Sequence, residues 1–71
     1  MPRSKPEPTF AARLRAARDK AGLSQEQLAR AADLSTQAVR HLEQGLRQPT
    51  FGTACKLAAA LGVSTEIFRP A

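Results

Sequence analysis

Seventy-one residues suffice for one small domain, and 42% hydrophobic with 24% charged residues is the composition of an ordinary globular chain. The longest apolar run, Leu57-Ala58-Ala59-Ala60-Leu61, is far too short to cross a bilayer, and Pro2, Pro6 and Pro8 break up the N-terminus where a secretory signal needs an apolar stretch. One cysteine and one histidine make neither an internal disulfide nor a zinc shell, while eleven Lys/Arg against six Asp/Glu leave a net charge of +5 that favours a polyanionic partner.

Residues 1–8 hold three prolines and no apolar period, and are expected to form a flexible arm ahead of a domain over residues 9–71. Arg3 and Lys5 can follow a DNA backbone or enter a minor groove, but Glu7 offsets one of them and a disordered leader is the simpler account. From Thr9 onward the apolar period is helical. Thr9 caps a first helix with Phe10, Leu14, Ala17 and Ala21 on one face, and Gly22 ends it. Ser24 and Gln27 make a capping box for a second helix with Leu28, Ala29 and Ala32 inward. After the short turn Asp33-Leu34, Ser35 caps a third helix that turns Val39 and Leu42 inward and closes at Gly45. The loop Leu46-Arg47-Gln48-Pro49 leads to Thr50, the cap of a fourth helix with Phe51, Ala54, Cys55, Ala58 and Leu61 spaced for burial. Gly62 stops that helix, and Ser64 caps a last short one containing Ile67 and Phe68. The expected fold is all-α, with five helices.

The informative stretch is Gln25 to Gln44. Two helices joined by a turn of about three or four residues cross steeply, which demands a small residue at the crossing and apolar residues around the turn. Ala29 meets the first demand, and Leu28, Ala32, Leu34, Val39 and Leu42 meet the second. The turn favours a residue tolerant of positive φ, and Asp33 tolerates it at some cost where glycine would be easiest.

At these residues the chain resembles the phage-repressor/Cro-type (XRE) helix-turn-helix family. The resemblance runs from about Phe10 to Phe68 and rests on Leu14, Arg18, Gly22-Leu23-Ser24-Gln25, Leu28-Ala29, Leu42-Glu43-Gln44-Gly45, Pro49 and Leu57 through Ser64. It implies a compact five-helix DNA-binding domain whose second and third helices form the helix-turn-helix. The third helix, about residues 36–44, would lie in the major groove of double-stranded DNA.

Carried over by position, the base-reading residues are Ser35, Thr36, Gln37 and Ala38, with His41 one turn further on. Gln37 can offer its amide to the N6/N7 edge of adenine, Thr36 can hydrogen-bond or touch a thymine methyl, and Ala38 suits a thymine methyl alone. Arg40 and His41 each reach either a guanine edge or a phosphate. The plainer account is a solvated polar face. Gln25 occupies the family's phosphate position at the start of the second helix; Arg40, Arg47, Gln44 and Gln48 join it as phosphate candidates. Arg13, Arg15 and Lys20 are either further phosphate contacts or cations that a helix exposes for solubility alone. In the family, the positions of Arg18 and Glu43 form an ion pair that fixes how the recognition helix is presented.

No metal site, cofactor or small-molecule ligand is evident, and no carboxylate pair or nucleophile supports an enzyme. Cys55 is expected to be a small buried hydrophobe, with a redox-sensing thiol as the alternative. The expected function is sequence-specific transcription regulation in the cytoplasm, associated with the nucleoid through DNA. A protein-interaction module, or the antitoxin of a toxin–antitoxin pair, is the alternative use of the fold. Specificity from so small a reader normally needs an inverted-repeat operator and two copies. A weak or DNA-assisted homodimer is expected, with contacts near Leu46 to Thr50 and around Ile67 and Phe68. The chain stops at Ala71 and so leaves no room for a separate dimerisation domain; the alternative is a fragment of a longer regulator.

Overall fold

A computed structural model describes residues 9–68; the arm expected over residues 1–8 and the last three residues of the expected domain lie outside the described residues. Four α-helices follow one another: α1 (Phe10–Ala21), α2 (Gln25–Ala31), α3 (Thr36–Glu43) and α4 (Phe51–Leu61). A side-chain oxygen starts each of them by accepting a bond from an otherwise unpaired backbone N–H. Thr9 caps Ala12, Ser35 caps Ala38 at 3.0 Å, and Thr50 caps Thr53 at 3.1 Å. At α2 the exchange is reciprocal: Ser24 Oγ accepts from Gln27 N–H at 3.0 Å, and Gln27 Oε1 accepts from Ser24 N–H at 2.8 Å.

The expected fifth helix is a single 3-10 turn over Thr65–Phe68 instead. Ile67 N–H closes onto Ser64 C=O at 3.2 Å, three residues back, and four residues are too few to nucleate the wider α-helical ring. Among the described residues the fold is therefore all-helical with four α-helices.

Leu14, Leu28, Val39 and Leu57 have no exposed surface, and Ala29, Ala32, Leu42 and Ala58 fill the space between them. One residue from each α-helix thus meets at the centre. The Phe10 and Phe68 rings pack with centroids 4.9 Å apart and planes tilted by 55°, so the 3-10 turn closes one end of the core against the start of α1. Two expected faces need correction. Phe51 is 80% exposed and Leu57, off the expected face, is completely buried, while Ala58 is buried and Ala54 and Leu61 pack on the core as expected, so α4 is rotated only partly from the face expected for it. Ala21 is exposed as well, because it is the last residue of α1 and lies beyond the surface that its neighbours cover.

The turn between α2 and α3 is made by a residue under backbone strain. Asp33 has φ 60°, the one positive value outside glycine among the described residues, and this lets Leu34 N–H return to Ala29 C=O at 2.8 Å. Ala29 itself is almost wholly buried, as a close helix crossing requires. Left-handed backbone costs an ordinary L-residue about 1–2 kcal/mol, and Asp somewhat less. Asp33→Gly is therefore expected to raise stability by up to about 1 kcal/mol, and Asp33→Ala to lower it by about the same. Denaturant midpoints of the two variants check the sign; a destabilised Gly variant would mean that the Asp33 side chain contributes something beyond its backbone angle.

Candidate nucleic-acid interface

α3 has a buried back and a polar front. Val39, Leu42 and Glu43 face inward, leaving Gln37, Arg40 and Gln44 exposed and Thr36, Ala38 and His41 half-exposed. Gln37, Arg40, His41 and Gln44 fall at i, i+3, i+4 and i+7 and so share one ridge along the helix. Ser35 sits at the open end of that ridge. Its Oγ accepts the Ala38 N–H, which occupies the hydroxyl as an acceptor and leaves its proton to donate. Ala38 lines a hollow of about 130 Å³ with Arg47, Gln48 and Thr53, so its methyl turns partly towards the loop after α3. Arg47 and Gln48 are exposed in that loop, beside the ridge.

Besides the apolar packing of Val39 and Leu42, one buried carboxylate ties the back of α3 to α1 and α2. The Glu43 side chain is only 1% exposed, and Arg18 pairs with it in the two-bond fork: Nε to Oε2 at 2.6 Å and Nη2 to Oε1 at 3.1 Å. Arg18 also donates to Leu23 C=O at 2.9 Å, holding the link between α1 and α2. The hydrogen bond to Glu43 raises the Arg18 pKa above its ordinary value; burial opposes this, and the charges of Glu43 and Asp19 reinforce it. Gln25 Nε2 donates to Glu43 Oε1 at 3.1 Å. An amide nitrogen carries two hydrogens, so one remains for a further acceptor. No buried side-chain nitrogen or oxygen among the described residues lacks a partner.

Arg15, which the sequence leaves open between a phosphate contact and a solvated cation, also belongs to this cluster. Its Nη2 donates to the Glu43 backbone carbonyl at 3.1 Å, and its Nε lies 3.8 Å from Glu43 Oε1. The spacing of i, i+3 from Arg18, which puts both on one face of α1, is the sequence signal that marks it.

Leu46 and Phe51 flank the same loop, 71% and 80% exposed. Beside Phe51 a groove of about 510 Å³ runs between the starts of α1 and α4, floored by Phe10, Pro49 and Phe68. Cys55 is half-buried rather than fully enclosed. No cluster of three or more His, Cys, Asp or Glu able to hold a metal occurs among the described residues, and no helix there is long and apolar enough to cross a membrane.

A short helix, a turn at a positive-φ residue and a second helix with a polar exposed front form the arrangement to which the comparisons also lead. The helix-turn-helix family model, HTH_3, matches residues 14–68. The chain belongs to the helix-turn-helix family. Among solved structures, this helix-turn-helix protein is similar to the restriction-modification controller protein C.AhdI from Aeromonas hydrophila. The two are 37% identical with a TM-score of 0.81, over 83% of this chain and 89% of that one. The hypothetical transcription factor NHTF from Neisseria is 30% identical with a TM-score of 0.83, over 99% of this chain and 87% of that one. The P22 c2 repressor, solved in complex with a synthetic operator, is 25% identical with a TM-score of 0.78, over 84% and 91% of the two chains. No curated protein matches the sequence. This helix-turn-helix is of the phage-repressor type that its sequence resembles, a DNA-binding, all-helical class of transcription regulator.

Proposed function

We propose that this protein binds double-stranded DNA sequence-specifically and regulates transcription by reading the major groove with α3. The observation that carries this reading is the division of α3, whose back is locked into the core while its front offers hydrogen-bonding side chains at base-reading spacing. Ser35, Thr36, Gln37, Ala38 and His41 are the base-contacting set. Gln25, Arg40, Gln44, Arg47 and Gln48 are the phosphate contacts that fix the register. Gln25 comes to its phosphate with one amide hydrogen already held by Glu43 and the other free to donate. The Arg18–Glu43 pair is the structural tie that sets the angle of α3. Residues 9–71 make up the DNA-binding domain, and the protein acts in the cytoplasm on nucleoid DNA. The solved complex of the P22 c2 repressor with an operator supports this use of the fold.

The operator is an inverted repeat bound by a homodimer, because one such module reads only a few base pairs and two copies about one helical turn apart are needed for specificity. Leu46 and Phe51 are the apolar anchors of that dimer, which forms weakly or with the help of DNA. Phe51→Glu is expected to leave the fold unchanged, as the ring is exposed, while abolishing cooperative filling of the two half-sites. Sedimentation on a two-half-site duplex reads this directly. An unchanged stoichiometry would move the dimer contact elsewhere.

Selection from a randomised duplex pool, followed by sequencing of what the protein retains, tests the whole proposal. An enriched inverted repeat supports it and gives the half-site spacing. Retention without enrichment overturns sequence-specific readout by this chain alone, and no retention turns the search to protein partners.

A further inference from the structure

We propose that Arg15 is a DNA-phosphate ligand, a guanidinium placed in advance at the C-terminal end of α3 by the Glu43 cluster; this rests on the DNA-binding function proposed above. Three observations lead to it. The Glu43 carboxylate is already neutralised by the two-bond fork from Arg18, so the charge of Arg15 is surplus to it. Arg15 is nevertheless held in place, with Nη2 on the Glu43 carbonyl at 3.1 Å and Nε 3.8 Å from the carboxylate. Yet its side chain is 57% exposed, against 15% for Arg18.

A guanidinium has five N–H donors, and a single hydrogen bond to a carbonyl leaves most of them facing solvent. The cluster of Arg15, Arg18 and Glu43 therefore carries a net positive charge whose exposed part is Arg15. Gln25, a phosphate candidate, is bonded to the same Glu43 Oε1 that Arg15 approaches. One carboxylate thus holds an exposed cation and an amide donor side by side at the end of the recognition helix. A phosphodiester oxygen is the ligand that suits both: it is anionic, accepts several bonds and recurs along the duplex. Because the guanidinium is already anchored, less of its rotamer freedom is lost on binding than for a cation such as Lys20 or Lys56.

A purely structural Arg15, acting as a cap on the α3 carbonyls, predicts a different set of results. The test uses a mixed-sequence duplex, since non-specific binding is almost wholly electrostatic and needs no operator. Wild type, Arg15→Gln and Arg15→Lys are titrated onto it over a series of salt concentrations, and their melting temperatures are measured alongside. Arg15→Gln is expected to bind more weakly with nearly unchanged melting temperature, its log K against log salt slope being shallower by about 0.9 per monomer. Arg15→Lys is expected to keep the wild-type slope. An Arg15→Gln variant with the wild-type slope, or one whose weaker binding merely follows a lower melting temperature, would overturn the assignment. If the wild type holds no duplex even at low salt, DNA binding itself fails and the assignment falls with it. Wild-type binding with an unaltered Arg15→Gln slope removes Arg15 alone.

Discussion

Arg18→Ala is expected to remove most of the protein's stability. Glu43, 1% exposed in the intact protein, would stay on the inner side of α3 having lost both bonds of its fork. Breaking a buried pair by removing one partner costs about 3–5 kcal/mol, because the remaining charge is neither solvated nor neutralised. Arg15 and Gln25 still reach the carboxylate, which pulls the loss towards the lower end of that range. A single core in a domain of this size rarely supplies more than about 3–5 kcal/mol. The loss and the total are therefore comparable, and far-ultraviolet circular dichroism against denaturant should show the variant's midpoint falling to a small fraction of the wild-type value, with a measurable unfolded population before denaturant is added. Removing both charges is expected to restore folding: in Arg18→Met combined with Glu43→Leu no buried charge is orphaned, and an apolar pair of similar volume is often neutral or better. If the double variant is as unstable as the single one, the geometry of the fork matters more than the buried charge. The contribution of Arg18 does not vary over ordinary pH. Its pKa is raised in the fold, so the stability it adds is complete below the unfolded value and is lost only as the pH climbs through the raised one, far into alkali.

What the sequence disclosed and what it withheld divide along the range of the interactions. Caps act over three residues, so Thr9, Ser24 with Gln27, Ser35 and Thr50 could be read directly as helix starts. The strained turn was legible for the same reason, since steep crossing over so short a connection leaves Asp33 as the residue that must take positive φ. The rotation of α4 was not. Phe51, Ala54, Cys55, Leu57, Ala58, Ala60 and Leu61 make the helix apolar nearly all round, and Lys56 alone marks an outer side. Burial there depends on what the other helices cover: they reach Leu57 in the middle of α4 and stop short of Phe51 at its first turn. Distance in sequence also hid most of the Glu43 cluster. Arg15 and Gln25 meet Glu43 across 28 and 18 residues, and the local patterns that mark them, the i, i+3 spacing of Arg15 from Arg18 and the place of Gln25 at the start of α2, say nothing of a shared carboxylate. The same separation explains why the cluster matters, since it joins α1, the first residue of α2 and the last residue of α3 at one point.

With α3 fixed from behind, a change at its front should alter recognition and leave stability alone. Gln37→Ala is expected to cost about 1–3 kcal/mol per half-site and to relax preference at a single base pair. Gln37 is exposed near the start of α3, its side chain makes no hydrogen bond that would hold it to the protein, and its neighbours on the ridge are Arg40 and His41. A side-chain amide presents a donor beside an acceptor, the pattern that matches the N6/N7 edge of adenine; Ala38 has no such group, and Ser35 already spends an acceptor site on its cap. Competition binding against duplexes varied one base pair at a time separates a reader from a general contact. A reader loses discrimination at one position of each half-site and keeps it at the others, with the same melting temperature as wild type. Weakening by the same factor on every sequence would instead assign Gln37 to the DNA backbone. Gln37→Arg adds a sharper demand, since a guanidinium in the same place pairs with the O6/N7 edge of guanine. The preferred base at that position should then change from adenine to guanine, an outcome that neither a solvated polar face nor a phosphate contact would produce.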